Sequence, residues 1–200
     1  MNTIKTEKLD TRDFITIGIF AAISLVIFFV IGGAAGMTLV GTVANIPITV
    51  FFTSIAYMLL VSKVRKRGTF LIMGTISALP GLMAANVIGV IASVFGWLMA
   101  EIVVSANHYK NKKVLIFAYV LGCTLHSAGY TLPMYLSNAQ YLIDRQEIFH
   151  LTDEALAVYL KMFTWPMFFI MVALTVVTSF LGAVLSTRIL KKHFEKAGLL

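Results

Sequence analysis

His126 has the widest chemical range of any side chain in this 200-residue sequence. A neutral imidazole can ligate a metal, move a proton or hold a hydrogen bond. Here it falls inside a long apolar stretch, where a polar side chain is costly and needs a partner or a purpose. Gly122, His126, Gly129 and Pro133 follow one another at i, i+4, i+7 and i+11, so on a helix they share a face. Two glycines beside a histidine leave room for a flat group or for a neighbouring backbone. Tyr130 stands one turn above His126. Two roles are open for the imidazole: contact with a bound ligand, or a hydrogen bond to an adjacent helix.

Other polar residues in apolar surroundings are few. Asn45 and Asn86 are expected near the outer ends of their helices, where with Tyr130, Tyr135 and Tyr141 they can ring an outward-facing pocket. Taken singly, each also suits an interhelical hydrogen bond. Met37, Met83 and Met134 offer soft ligand atoms near the same side. Glu101, about a turn and a half before Ala106, is expected to reach the interface. Gly18 and Ala22, four apart, give a small-xxx-small face that permits close helix approach, inside the bundle or against a partner.

Catalysis finds little support. His126 has no serine in a Gly-x-Ser-Gly context to pair with, and neither a His-Glu-x-x-His zinc pattern nor a paired-glutamate protease motif is present. The sequence has no Walker motif, so any ATP hydrolysis belongs to a partner.

The elements that position these residues read as membrane helices. The chain is 59% hydrophobic and 12% charged, against roughly 25% charged in an ordinary soluble domain. The fold class expected is an all-α integral membrane protein, a single six-helix bundle, with spans at about 14–31, 41–62, 69–81, 84–106, 114–136 and 164–189. Gly32, Gly33 and Gly36 suggest a flexible loop after the first span, and Pro80-Gly81 a broken third span that lines a cavity. The first apolar run is too long for a cleavable signal. Cys123 is the sole cysteine and reads as a packing residue.

Charge sets the expected orientation. With both termini in the cytoplasm, fourteen of the sixteen basic residues fall on the inner side. Only Arg145 and Lys161 lie in the outer segment, residues 137–163, which also carries Asp144, Glu147, Asp153 and Glu154. The net charge of +7 therefore reflects topology, because the basic residues hug span ends, and a nucleic-acid partner is not implied. Within that outer segment Thr152 can cap a short amphipathic helix with Leu156, Leu160 and Phe163 on its apolar face. No internal repeat of the duplicated-transporter kind is visible.

The opening Asp13-Phe-Ile-Thr-Ile-Gly-Ile-Phe-Ala-Ala-Ile23 and the stretch from His126-Ser-Ala-Gly-Tyr130 to Pro133, on a chain of this size and span number, resemble the S components of energy-coupling factor (ECF) transporters. More narrowly, they resemble the Trep_Strep subfamily. The resemblance covers essentially the whole chain. It implies a multi-pass plasma-membrane protein that is not an enzyme and binds a scarce small molecule at the outer side. That protein would dock on a transmembrane coupling protein carrying two cytoplasmic ATPases. The docking motif of the S components, Ala-x-x-x-Ala, is matched here by Gly18-x-x-x-Ala22. The loop after the first span, Gly32 to Val40, corresponds to a gate.

The same resemblance implies haem or a related tetrapyrrole as the carried substrate, with no cofactor of the protein's own. The binding residues expected are His126 as iron ligand, with Tyr130, Tyr135, Asn45, Asn86 and Gly129 around it. A nickel or cobalt substrate would call for an N-terminal histidine, which Met1-Asn2-Thr3 does not supply. A vitamin is the alternative substrate, and a non-transporting intramembrane enzyme or assembly factor the alternative class.

Overall fold

The computed structural model describes residues 8–137, 140–144, 146, 147 and 150–194, with side chains described through residue 190. The basic residues Lys5, Arg145, Lys191, Lys192 and Lys196, which entered the orientation reading, lie outside the described side chains. Every regular element among the described residues is helical. α1 runs Thr11–Gly36, α2 Leu39–Val43, α3 Asn45–Lys63, α4 Thr69–Met83, α5 Val87–Ala106, α6 Lys112–Leu136, α7 Gln140–Ile143, α8 Asp153–Met162 and α9 Trp165–Phe194.

α1, α3, α5, α6 and α9 are long and apolar enough to cross a bilayer. α4 is shorter, rising only about 22 Å at ~1.5 Å per residue against a hydrocarbon core of ~30 Å. α5 packs on α6 and α4, α9 on α3 and α6, and α1 on α3 and α4. The outward faces of α1, α5 and α9 are apolar, with Ile15, Val30, Ile88, Ile91, Phe169 and Val177 each more than half exposed. A belt of that kind is stable against lipid and not against water. The chain is an all-α integral membrane protein.

The helix starts are written in the sequence. Asp10 and Asp13 form a reciprocal capping box: the Asp13 N–H donates to Asp10 Oδ1 at 2.9 Å, and the Asp10 N–H to Asp13 Oδ2 at 2.8 Å. Thr38, Asn86 and Thr152 cap α2, α5 and α8. Gly68 takes the left-handed conformation that turns the chain into α4.

Three expectations are corrected. Gly32, Gly33 and Gly36 are helical, not a loop: α1 passes through a π turn at Phe28–Gly32 and continues to Gly36. Only Met37 and Thr38 separate it from α2, so most of the segment expected to be a gate is helix. In a bilayer the backbone must satisfy its own hydrogen bonds, and that outweighs the low helix propensity of glycine. α4 likewise does not stop at Pro80-Gly81; a further turn, Pro80–Met83, follows, with the proline in the first-turn position it tolerates. The third correction concerns α8. It is capped as expected, but its buried residue is Tyr159, with Leu156 and Phe163 packed beside it, while Leu160 is exposed.

Candidate binding cavity

A buried anchor holds one end of the bundle, and a cavity opens at the other. At the end bearing the basic turns, Glu101 is only 6% exposed. Its carboxylate accepts the Phe70 N–H at 3.0 Å, the Leu71 N–H at 3.4 Å and the Tyr109 hydroxyl at 2.6 Å, with the Ser105 hydroxyl completing the set. Glu101 therefore caps α4 from a neighbouring helix, where the dipole favours an anion. This corrects the expectation that it reaches the interface: four donors make burial the better arrangement. Burial first, and then the Glu101 charge, push the Tyr109 hydroxyl well above the usual phenol range, so it stays a donor.

At the other end a cavity of about 370 Å³ opens among α1, α2, α3, α4, α6, α8 and α9. Asn45, Thr42, Ser77, His126, Ser127 and Tyr130 give its polar wall; Phe28, Ile46, Met134, Tyr135, Tyr159 and Met171 are among its apolar and aromatic lining. Among the described residues no Asp, Glu, Lys or Arg lines it. The His126 and Tyr130 rings lie 5.4 Å apart at 32°. The His126 Nδ1 is buried and has no hydrogen-bond partner among the described residues. A buried polar atom in that state costs free energy that a ligand can recover.

The structure brings together His126, Tyr130, Tyr135 and Asn45 in this wall. It does not bring Asn86 or Gly129 there. Asn86 is a clamp: its Oδ1 accepts the Gly89 N–H at 3.0 Å and its Nδ2 donates to the Tyr130 carbonyl at 2.8 Å. Gly129 packs against α5, where an added Cβ would lie 2.6 Å from the Cβ of Ala92. Gly122 is filled the same way, by the Trp97 ring, at 2.5 Å. The two glycine gaps beside His126 therefore admit a helix, not a flat ligand. Tyr141 donates to the Ala84 carbonyl at 3.1 Å and lines a separate surface recess with Gly129. Met37 and Met83 are strongly exposed, and of the three methionines singled out only Met134 reaches the cavity. Among the described residues there is no cluster of His, Cys, Asp and Glu able to hold a metal ion.

Gly18 and Ala22 lie on the outward face of α1, while Ile17 and Ala21 face the core. A Cβ added at Gly18 would meet nothing within 4 Å. Thr42, Ser77, Ser127, Thr131, Tyr159 and Met171 also line the cavity and carry no motif that would have marked them in advance.

Residues 11–196 match the family model described as Hypothetical bacterial integral membrane protein (Trep_Strep). The chain belongs to the Trep_Strep family. Neither the curated proteins nor the solved structures contain a match. Membership in Trep_Strep agrees with the lipid-facing belt and the apolar helices, and the match takes in every helix that lines the cavity.

Proposed function

We propose that the protein is the substrate-binding subunit, or S component, of an ECF-type importer, capturing a scarce, vitamin-sized molecule at the outer side of the plasma membrane. The observation that carries this reading is the cavity of about 370 Å³, free of charged side chains among the described residues, with His126 in its wall and the His126 Nδ1 unpartnered among those residues. Its volume sits at the small end of the ~300–1,000 Å³ usual for ligand sites. In this reading both termini and the basic turns are cytoplasmic, α4 completes a set of six membrane helices, and the cavity faces outward. The open face of α1 at Gly18 and Ala22 docks on the transmembrane coupling protein, and a pair of partner ATPases supplies the energy.

Haem or a related tetrapyrrole is the second reading. One observation favours it: His126, Met134 and Met171 line one cavity, and haem iron takes His and Met axial ligands. The filling of the Gly122 and Gly129 gaps counts against a macrocycle lying on that helix face.

The test is purification under mild conditions from the native membrane. Recovery of a coupling protein and ATPases together with a bound small molecule, identified by native mass spectrometry, is expected. A chain that carries no small molecule and no partner would sink the proposal. Added haem that gives no Soret shift relative to haem in detergent alone eliminates the second reading.

A further inference from the structure

His126 also borders a second space. A well of about 40 Å³ adjoins the main cavity, and Phe28, Ile46, Ser77 and His126 line both. Its other walls include Thr53, Tyr57, Trp97, Tyr119 and Cys123, further along α3, α5 and α6 toward the basic end. At roughly 10–15 Å³ for one water-sized group, the well has room for about three non-hydrogen atoms.

The polar atoms around it are unevenly committed. Tyr57 donates to Ser77 Oγ at 3.0 Å, Ser77 to the Met73 carbonyl at 2.9 Å, and Tyr119 to the Val50 carbonyl at 2.6 Å. The protons of these hydroxyls are used, and lone pairs remain. Trp97 Nε1 is buried with no partner among the described residues, as is His126 Nδ1. An indole N–H can only donate. Trp97 and His126 both line the well, which thus suits a group able to accept from Trp97 and to donate to an oxygen or to the imidazole.

Charge narrows the group further. Among the described residues no Asp, Glu, Lys or Arg lines the well or the cavity, so a carboxylate or ammonium would meet no counter-charge there. The aromatic rings do not form a cation cage. Trp97 is stacked on Tyr57 at 4.9 Å and 16°, with Gly74 and Gly122 packed against its ring.

Building on the substrate-binding reading above, we infer that the well recognises a neutral, amide-like tip of the substrate, a primary carboxamide or lactam edge, while a ring-bearing body fills the main cavity. Trp97 donates to the carbonyl oxygen of that tip, and its N–H is met by His126 or a hydroxyl lone pair.

Matched probes test this on the purified full-length protein: nicotinamide against nicotinate, and benzamide against benzoate, titrated by calorimetry. Each carboxamide is expected to bind about tenfold more tightly than its carboxylate, the order of one net hydrogen bond. Trp97→Phe keeps the stacked ring but loses the donor, and should shrink that preference to about threefold or less. If Trp97→Phe does not fold, the carboxamide-over-carboxylate preference of the wild-type protein carries the test by itself. Equal affinity within a pair, no binding of either amide, or a preference unchanged in a folded variant overturns the inference. Native mass spectrometry separates this failure from failure of the binding role. A carried molecule without an amide-like group removes the inference alone, whereas no carried molecule and no partner removes the binding role as well.

Discussion

Asn45 Nδ2 donates to the Gly32 carbonyl at 2.7 Å, joining the first turn of α3 to the π turn of α1. A π turn disturbs the ordinary i to i−4 pairing and leaves a carbonyl in need of a donor. A Cβ at Gly32 would sit 3.0 Å from Asn45 Oδ1 and press on the side chain that makes this bond. Asn45 also lines the cavity, so one side chain joins the helix bearing Gly18 and Ala22 to the binding wall. Asn45→Leu should lower stability by about 1–3 kcal/mol, the cost of an unmet buried acceptor. It should also weaken ligand binding about tenfold. Thermal unfolding and ligand titration check both, and a variant with wild-type values would show that the turn is held elsewhere.

The Glu101 anchor makes a second prediction. Glu101→Ala strands the Tyr109 hydroxyl and the Phe70 and Leu71 N–H groups inside the bundle. The expected loss is about 2–4 kcal/mol, the cost of several buried donors left without an acceptor. His108 and Tyr109 hold left-handed backbone, at φ 52° and 58°, so the turn they form should loosen first. Hydrogen exchange at residues 107–111 that matched the wild type would contradict this.

Much of the fold was legible because hydropathy and caps act locally. Thr152 was readable as the cap of α8, and the lipid-facing positions follow from length and composition, whereas Thr38 and Asn86, read as a loop residue and a pocket residue, also prove to be caps. The site was legible only in part. Helical spacing put Gly122, His126 and Gly129 on neighbouring turns, but one helix's periodicity cannot say which neighbour fills a gap; Trp97 and Ala92 fill these. Glycine composition suggested a loop at Gly32–Gly36 because propensity scales describe water, where an open backbone can hydrogen-bond to solvent. Tyr159 rather than Leu160 is buried because Tyr141 and Leu142 on α7 set which face of α8 turns inward, a contact between distant segments.

Two glycines on opposite sides of the bundle should respond differently to the same change. Gly129→Leu forces α5 and α6 apart at Ala92, and overpacking of that kind costs about 1–3 kcal/mol or more. At Gly18 an added Cβ meets no atom within 4 Å, so Gly18→Leu should leave unfolding and ligand binding unchanged and block assembly with the coupling protein. Assembly and transport at wild-type levels in both Gly18→Leu and Ala22→Leu would place the docking face elsewhere.

Lys66 supplies a pH-dependent tie at the basic end. Its Nζ lies 2.6 Å from Asp13 Oδ2 and 3.5 Å from Asp10 Oδ2. The Asp13 backbone N–H, opposed by slight desolvation and helped by Lys66, holds the Asp10 carboxyl below its usual value. Asp13 in turn raises the Lys66 ammonium. The Asp10 contribution is present above the ordinary carboxylate pKa and disappears as pH falls through the depressed value. The Lys66 contribution is present below the ordinary lysine pKa and disappears as pH rises through the raised one. Amide exchange at the start of α1 should therefore be slowest, relative to the intrinsic rate, between those limits, and Lys66→Met should flatten the profile. A profile unchanged by Lys66→Met would assign the pH dependence to other groups.

Orientation is the prediction with the widest consequence, since the reading of the cavity as an outward site depends on it. The basic residues Lys63, Arg65, Lys66, Arg67, Lys110, Lys112 and Lys113 gather at one end of the bundle, and basic residues flanking spans are retained in the cytoplasm. Asp144, Glu147, Asp153 and Glu154 belong to the segment at the cavity end. A Cys123→Ser background removes the sole native thiol, which is buried. Gln146→Cys and Lys192→Cys then report on the two ends. An impermeant maleimide applied to intact cells should label position 146 and spare position 192 until the cells are opened. The reverse pattern would turn the cavity toward the cytoplasm and make capture from outside impossible. Labelling at both positions would mean that the chain crosses the membrane an even number of times between them, which would leave α8 or α9 in a different environment from the one the lipid-facing residues Phe169, Ile170 and Val177 require.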